Sequence, residues 1–327
     1  MVTKCLILNE TSLDPVHNLA VESTLLANAK RGECVLYLWQ NQNTVVIGRN
    51  QDAWRECRIA ELIADGGTLV RRPTGGGAVF HDLGNLNFSF VLPQKDYDVP
   101  RQLSVIMEAL RAFGLDAQAT GRNDITLDGL KFSGNAFLQQ NGFGLHHGTL
   151  LVKVDMQKMS RYLMPSQLKL KSKGIASVQA RVTNLNAACD MLTIETLRNA
   201  LTAALGKVYG VEVDPCPIVA PMDSTLCSFT EKYRSKAWVL GQMNDFTCEA
   251  HDRFPWGEAR LGLILRQGII VEAKLYTDAM DATLAGCVEE LLTGLVFNRE
   301  VMDRLCIKWK GTPISDLVDL LKINLEP

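Results

Sequence analysis

The first candidate for chemistry is the loop at residues 70–82, whose sequence is VRRPTGGGAVFHD. The three consecutive glycines Gly75–Gly77 let main-chain N–H groups approach a ligand, and successive amides can form a nest for an anion. Arg71 and Arg72 add guanidinium groups that match a carboxylate or a phosphate. The loop contains neither the P-loop motif nor the dinucleotide motif G-x-G-x-x-G. The residues favour anion binding over the alternative, a glycine-rich turn with two solvated arginines.

A second candidate cluster spans residues 121–137, GRNDITLDGLKFSGNAF. Alternation in this strand pattern puts Lys131 and Ser133 on its polar face. The residues alone also allow an ordinary exposed strand lysine. Arg122, Asn123 and Asp124 form a polar group just before the hairpin signal Asp128-Gly129.

Three histidines and a lysine-rich run are weaker candidates. His81, followed by Asp82, fits a base with its orienting carboxylate, but a histidine with main-chain partners is the favoured interpretation. The adjacent His146 and His147 point to opposite faces of a strand, so they do not easily share a metal. The run LKLKSKG at 168–174 is compatible with a mobile basic loop that closes over a polyanion, or with a solvated segment.

The surrounding pattern must position these side chains. ECVLYLWQ and NTVVIGR are predicted to be adjacent strands joined by a short turn, and Asp128-Gly129 predicts a hairpin. The segment 213–223 indicates a surface excursion. Mixed strands and helices with short connections favour an α+β fold. Helices are predicted after Asp14-Pro15, over WRECRIAELIAD and RQLSVIMEALRAF, at 155–164 and 193–209, and in the tail at 281–295, 298–306 and 314–323.

Composition limits the class of protein. The 327 residues are 47% apolar with a net charge of −2, which argues against a nucleic-acid binder. The nine cysteines are odd in number and form no C-x-x-C, which indicates reduced thiols. No signal peptide and no membrane-spanning run is apparent, so we expect a cytoplasmic protein.

Several blocks of this sequence, taken together in their order and spacing, resemble the lipoate–protein ligase A family. The resemblance covers almost the whole chain. The matching blocks are NLAVE at 18–22, VVIGRNQ at 45–51, RRPTGGGAVFHDLGN at 71–85, GRNDI at 121–125, KFSGNA at 131–136, HHGTLLV at 146–152 and KGIASVQARVTNL at 173–185.

The resemblance implies an enzyme that adenylates free lipoate with Mg-ATP. The lipoyl group then passes to a lysine of the lipoyl domains of 2-oxoacid dehydrogenase complexes or of the glycine-cleavage H protein. The implied fold is the α+β biotin/lipoate ligase-like domain, with a mixed β-sheet and flanking helices, at 1–245. A small C-terminal α+β accessory domain is expected at 246–327. The resemblance suggests a monomer.

The resemblance also implies roles for individual residues. Lys131 is expected to be catalytic, acting on the carbonyl and α-phosphate oxygens. Asp124 is expected to orient Lys131 or to help hold magnesium, and Val46 and Phe88 to line a tunnel for the dithiolane tail. ATP and lipoyl-AMP are expected to contact Arg72, Gly75, Gly76, Gly77, Ala78, Val79, Phe80 and Lys131. Supporting positions are Thr74, His81, Asp124, Ser133 and His147.

One departure and one competing function follow from the same comparison. Pro73 stands where relatives often have a small residue and removes one N–H, but Thr74 keeps a hydroxyl in the loop. The competitor is a lipoyl or octanoyl transferase or amidotransferase of the same fold, which does not activate free lipoate with ATP. Such relatives use a cysteine nucleophile and usually lack the accessory domain. The stretch 121–153 contains no cysteine, and the tail after 245 is present.

Overall fold

The computed structural model describes residues 1–120, 123–164, 182–220, 222–241 and 245–325. The described strands form one mixed sheet of eight strands and two sheets of three strands. The strands are β1 (Lys4–Asn9), β2 (Glu33–Trp39), β3 (Thr44–Ile47), β4 (Thr68–Arg71), β5 (Val79–His81), β6 (Asn85–Pro93), β7 (Gln118–Thr120), β8 (Asp124–Leu127), β9 (Leu130–Gln140), β10 (Phe143–Leu151), β11 (Val213–Pro215), β12 (Cys248–Phe254), β13 (Gly257–Arg266) and β14 (Ile269–Thr277).

The described residues also form helices on both sides of the large sheet. Short 3₁₀ turns occur at Gln94–Asp96, Leu185–Ala187 and Lys322–Leu325. The α-helices are α1 (Pro15–Ala27), α2 (Ala53–Glu56), α3 (Ile59–Ala64), α4 (Val99–Arg111), α5 (Met156–Tyr162), α6 (Ile194–Tyr209), α7 (Ser224–Arg234), α8 (Lys236–Leu240), α9 (Leu284–Leu292), α10 (Arg299–Lys308) and α11 (Pro313–Leu321).

The large sheet has the strand order β11-β1-β2-β6-β10-β9-β8-β7. Strand β1 pairs in parallel with both β11 and β2. The remaining neighbours in this sheet, β2-β6, β6-β10, β10-β9, β9-β8 and β8-β7, are all antiparallel pairs. Helices α4 and α6 contribute to the core on one face, around Phe88, Phe90 and Phe132. Helices α1 and α7 contribute to the core on the other face, around Tyr37 and Trp39.

The two smaller sheets lie in different parts of the chain. Strands β4-β3-β5 form the first, in which β3 pairs in parallel with β4 and antiparallel with β5. Strands β12-β13-β14 form an antiparallel sheet that shares a separate hydrophobic core with α9, α10 and α11. Together these elements confirm the α+β fold. In the described part of the chain, no helix is both long enough and apolar enough to cross a membrane.

Local signals in the sequence give the correct turns and caps. The Asp14 side chain accepts a hydrogen bond from the Val16 N–H at the start of α1, as the Asp-Pro pair predicts. Asp128 and Gly129 have φ of 51° and 78°, which confirms the tight hairpin. Gly210, with φ of 68°, ends α6.

Two predicted elements are wrong, and the predicted surface excursion at 213–223 is exposed or half-buried in its described residues but begins with a short strand. Strands β2 and β3 do not pair with each other, because β2 pairs with β1 and β6 while β3 belongs to another sheet. The predicted helix over 54–65 is split into α2 and α3. Cys57 is extended at the break and forms a β-bridge with Leu163. The excursion at 213–223 contains β11, which adds a parallel edge strand to β1.

Candidate active site

The glycine loop, defined as residues 72–78, connects β4 to β5 and is held by close main-chain contacts. A Cβ atom at Gly48, at the end of β3, would lie 2.1 Å from the Gly76 carbonyl oxygen. Gly76 has φ of 88°, a conformation that glycine adopts at no steric cost. On its other side the loop touches the segment 279–280, where the Gly76 N–H donates to the Ala279 carbonyl at 3.0 Å. Glycine is therefore required here for close approach of two backbones.

Arg72 is buried and its guanidinium stabilises the shape of the glycine loop. Its Nε donates to Thr74 Oγ1 at 2.9 Å, and its Nη1 donates to the Val46 carbonyl at 3.2 Å. Its Nη2 donates to the carbonyls of Gly75 and Gly77 at 2.7 and 2.8 Å. Burial lowers the pKa of Arg72 to about 10, so the group stays charged at neutral pH.

Arg71, the other arginine of the pair, has a structural role. Its guanidinium donates to the main-chain carbonyls of Gly48, Arg49, Gln51, Trp238 and Val239. The Trp238 indole N–H donates back to the Arg71 carbonyl at 2.8 Å. The two adjacent arginines are therefore used differently, since only Arg72 lines the cavity described below.

A buried chain of hydrogen bonds connects the glycine loop to α1. Thr74 Oγ1 and His147 Nε2 lie 2.8 Å apart, and His147 Nδ1 lies 2.8 Å from Glu22 Oε1. The Ser89 hydroxyl donates to the same Glu22 oxygen at 2.5 Å. Glu22 and Thr74 are fully buried. The sequence prediction included Thr74 and His147, but not the carboxylate at the end of the chain.

Lys131 lies on β9 opposite an irregularity in the pairing with β8. Its Nζ is 2.6 Å from Asp124 Oδ1, and both side chains are roughly one-third exposed. A Cβ atom at Gly134 would lie 3.1 Å from Lys131 Nζ, so the glycine gives the lysine side chain space across the strand. This geometry supports Asp124 as the residue that orients Lys131.

A cavity of about 140 Å³ brings these groups together. Its lining combines apolar side chains such as Leu19 and Val46 with Arg72, Lys131 and the glycine loop. The lining residues are Leu19, Trp39, Val46, Arg72, Gly76, Gly77, Ala78, Val79, His81, Asn87, Asn123, Lys131, Gly134, Asn135, Ala136, His147, Gly148 and Thr149. Of these, Leu19, Trp39, Asn87 and Asn135 were not singled out from the sequence, because their types and spacing are also those of ordinary core and strand positions.

Several predicted site residues do not line the cavity. Gly75 packs against the carbonyls of 279–280, and the fully buried Phe80 ring packs on Tyr162. Ser133 is fully buried and lies outside the lining. Phe88, which was expected to line a tunnel beside Val46, belongs instead to the core of the large sheet, so that expectation is wrong for Phe88. Arg122 and the lysines at 169, 171 and 173 lie outside the described residues.

His81 does line the cavity and is neutral at physiological pH. Burial, with Arg72 and His147 nearby, lowers its pKa to about 3. The amide nitrogen of Asn41 donates to His81 Nδ1 at 3.1 Å, so the ring proton is on Nε2. His81 therefore presents a neutral imidazole, and Asp82 does not orient it. The Asp82 carboxylate accepts from the Gly84 and Asp155 N–H groups instead.

The cavity contains little that would hold a metal by protein ligands alone. Among the described residues, no group of three or more histidine, cysteine or acidic side chains is placed to bind an ion. Asp124 is nevertheless partly exposed beside Lys131. Magnesium commonly binds through one or two carboxylates together with substrate phosphates and water. Asp124 lies outside the lining of the cavity and one of its carboxylate oxygens is paired with Lys131, so these residues alone do not define a magnesium site.

Two family matches divide the chain between them. Residues 14–206 match the family described as "Lipoyl protein ligase A/B catalytic domain", and residues 244–321 match "Bacterial lipoate protein ligase C-terminus". Lipoate-protein ligase A of Blochmanniella floridana is 36% identical over 310 residues, covering 93% of this chain and 92% of the relative. Lipoate-protein ligase A of Psychrobacter cryohalolentis is 38% identical over 304 residues, covering 90% of each chain.

Solved structures agree with these matches. The crystal structure of P. falciparum LipL1 in complex with lipoate superposes with a TM-score of 0.83 at 26% identity, covering 96% of this chain and 97% of that one. A lipoate-protein ligase A bound with ATP superposes with a TM-score of 0.65 at 28% identity, covering 74% of this chain and all of the other. From the length and identity of these matches, the chain belongs to the lipoate–protein ligase A family.

Proposed function

We infer that the protein is an ATP-dependent lipoate–protein ligase. The observation that carries this inference is a single cavity whose lining combines apolar side chains with Lys131, Arg72 and the glycine loop. The apolar side chains suit the hydrocarbon and dithiolane part of lipoate. The cationic groups suit a carboxylate that meets a phosphate. Relatives solved with lipoate and with ATP support the same pair of substrates.

In the first half-reaction, a lipoate carboxylate oxygen attacks the α-phosphorus of ATP. The bond from that phosphorus to the bridging oxygen breaks, and pyrophosphate leaves. Such a step depends mainly on the positioning of anions and the spreading of charge. We assign Lys131 to the carboxylate and α-phosphate oxygens, because it is the ammonium group lining the cavity in the described residues. Magnesium neutralises phosphate charge when it is bound.

The glycine loop and the adjoining strand provide the nucleotide side of the proposed site. Main-chain groups of Gly76, Gly77, Ala78 and Val79 line the cavity, and Arg72 holds the loop through the carbonyls of Gly75 and Gly77. We propose that Phe80 contributes through its main chain and its packing. Thr74, Ser133, His81 and His147 are proposed as supporting residues that maintain the walls.

In the second half-reaction, the ε-amine of an acceptor lysine attacks the carbonyl carbon of lipoyl-AMP. The carbon–oxygen bond to the phosphate breaks, AMP leaves, and the amine proton is lost to solvent. Lys131 is in position to stabilise the carbonyl oxygen in this step as well. Its pairing with Asp124 at 2.6 Å limits the movement of the ammonium group between the two steps.

The competing transferase function, without ATP, has no support in the cavity. Transferases of this fold use a cysteine nucleophile, as the sequence comparison implies. All nine cysteines lie in the part of the chain that the structure describes, and none lines the cavity. Burial also raises the pKa of Cys57 to about 11, which leaves that thiol unreactive.

Further properties are proposals that rest on the family. We propose that the acceptors are the lipoyl domains of 2-oxoacid dehydrogenase complexes and the glycine-cleavage H protein, and that the enzyme is a cytoplasmic monomer. We also propose the domain division at 1–245 and 246–327. The separate core of the C-terminal sheet and helices supports this division.

The test combines the purified protein with lipoate, Mg-ATP and an apo lipoyl domain. Mass spectrometry is expected to show one added lipoyl group on the acceptor only when ATP is present. Without the acceptor, lipoate and Mg-ATP are expected to release pyrophosphate. Modification of the acceptor from an octanoyl-protein donor without ATP would instead establish the transferase.

A further inference from the structure

The fully buried Glu22 lies on the same face of α1 as the core residues Leu19 and Leu26. Other buried residues of α1, including Leu19, Val21 and Leu26, pack in the hydrophobic core, whereas the Glu22 carboxylate lies at the end of a hydrogen-bond chain from the glycine loop. A buried carboxylate is costly unless donors surround it. The Glu22 Oε1 atom has two hydrogen-bond partners, His147 and Ser89, whereas the buried Oε2 atom has none in the described structure. Such an arrangement points to a specific purpose for the charge.

The direction of each proton in the chain can be deduced. Arg72 Nε can only donate, so Thr74 Oγ1 accepts from it at 2.9 Å. The single hydroxyl proton of Thr74 is then available for His147 Nε2 at 2.8 Å. With Nε2 as an acceptor, the ring proton of a neutral His147 is on Nδ1 and is donated to Glu22 at 2.8 Å. All three protons therefore point from the guanidinium toward the carboxylate.

We propose that Glu22 is a positioning residue, which fixes the orientation of Arg72 and the shape of the glycine loop through His147 and Thr74. This inference rests on the ligase function proposed above and assigns an additional residue to it. An ionised carboxylate accepts hydrogen bonds and cannot donate them. Glu22 therefore selects the tautomer of His147 that carries its proton on Nδ1. That tautomer in turn orients the Thr74 hydroxyl, whose oxygen then faces Arg72 Nε. The guanidinium is thereby held with Nη2 on the two loop carbonyls.

Electrostatics support the same assignment. Burial lowers the pKa of Arg72, whereas the charge of Glu22 acts in the opposite direction. No salt bridge joins the two side chains in the described structure, and the His147 and Thr74 side chains lie between them. A buried cation is tolerated when a charge of opposite sign and hydrogen bonds compensate for its desolvation. The charge of Glu22 therefore favours the charged form of the buried Arg72, whereas the chain of hydrogen bonds sets the orientation of its guanidinium.

A merely structural role for Glu22, as a tie between α1 and β10, makes a different prediction. A structural tie would affect stability but not kcat/KM or the energetic connection with Thr74. Ser23→Ala is a matched control on the same helix, because the buried Ser23 hydroxyl bonds Tyr233 at 2.6 Å and lies outside the chain. This control is expected to lower stability without changing the kinetic constants.

The experiment is a double-mutant cycle between Glu22 and Thr74. Glu22→Ala and Thr74→Val are each expected to lower kcat/KM for ATP-dependent pyrophosphate release by about 10- to 100-fold. If Glu22 acts through Thr74, the double variant is expected to have a kcat/KM less than about threefold below that of Thr74→Val alone. If the loss of kcat/KM in the double variant equalled the product of the two single losses, the proposal would be overturned. Glu22→Gln retains an acceptor oxygen and is expected to recover most of the loss.

A second measurement does not depend on ligase activity. Nitrogen NMR of the free protein is expected to show the His147 proton on Nδ1 in the wild type and in Ser23→Ala. In Glu22→Ala this preference is expected to be lost. An unchanged tautomer in Glu22→Ala would overturn the proposal, even if the wild type failed to lipoylate and the ligase function itself were wrong. If Glu22→Ala does not fold, Glu22→Leu removes both acceptor oxygens at a similar side-chain volume and replaces Glu22→Ala in both measurements.

Discussion

Gly48 is the position at which a single methyl group is expected to displace the glycine loop. A Cβ atom there would lie 2.1 Å from the Gly76 carbonyl oxygen and 3.3 Å from Arg72 Nη2. Since Cβ atoms essentially never come closer than 3.0 Å to such an atom, the two main chains must separate by at least 0.9 Å. The obstacle is backbone, so no side-chain rotation can relieve it.

The magnitude follows from this displacement. A misplacement of about 1 Å in groups that position a substrate can lower a rate by about 100-fold. This loss corresponds to about 2.7 kcal/mol in the barrier. Forcing a methyl group into a packed site also costs about 1–3 kcal/mol of folding free energy. Gly48→Ala is therefore expected to remain folded, with kcat/KM for ATP reduced by about two orders of magnitude.

The assay is pyrophosphate release with lipoate and Mg-ATP, together with urea unfolding of the same samples. Gly286→Ala is the matched control, because nothing lies within 4 Å of its ideal Cβ position in α9. Alanine is favoured over glycine in a helix by about 1 kcal/mol, so the control should be stable and fully active. A folded Gly48→Ala protein with activity within about threefold of the wild type would refute the dependence of the reaction on the position of this loop.

Three further predictions concern other parts of the site. Lys131→Ala is expected to raise the barrier to adenylation by about 3–4 kcal/mol, because it removes a transition-state donor; wild-type pyrophosphate release would contradict this role. Burial lowers the pKa of His81 and His146 from 6.5 to about 3, so the unfolded chain binds more protons between these values. The free energy of unfolding should therefore fall as the pH is lowered from 6.5 toward 3, and urea unfolding of the double His→Asn variant should show a smaller slope. Gly75→Ala places a Cβ atom 2.4 and 2.5 Å from the carbonyl oxygens of 279–280, so this segment should move away; unchanged amide hydrogen exchange there would show that it does not.

The parts of the fold that were predictable depend on local chemistry. The start of α1 at Asp14-Pro15, the hairpin at Asp128-Gly129 and the end of α6 at Gly210 each follow from the dihedral angles or hydrogen bonds of one or two residues. The hairpin predicted between β2 and β3 was wrong because the pairing of these strands does not depend on local residues. A short turn is compatible with strands that separate into different sheets, and only the long-range pairing of β2 with β6 decides between the two.

The residues of the candidate site also differ in whether the local sequence or only the fold reveals them. The glycine loop was identifiable because three consecutive glycines are unusual. Lys131 alone was compatible with an ordinary exposed strand lysine, and the resemblance gave it a role. Glu22 was missed because a glutamate on a helix is typically solvated. Its partner His147 is 125 residues away in the sequence, and only the fold brings them to 2.8 Å.

The hydrogen bonds of Arg71 determine where this chain can be shortened. Two of its carbonyl acceptors, at Trp238 and Val239, lie 167 and 168 residues further along the chain. A fragment that stops before Trp238 would keep every residue of the cavity yet leave a buried guanidinium without these acceptors. A fragment that keeps the acceptors of Arg71 must therefore extend through α8, and the bond from the Gly76 N–H to the Ala279 carbonyl requires the C-terminal segment as well. A fragment that ends with α6 would lack both.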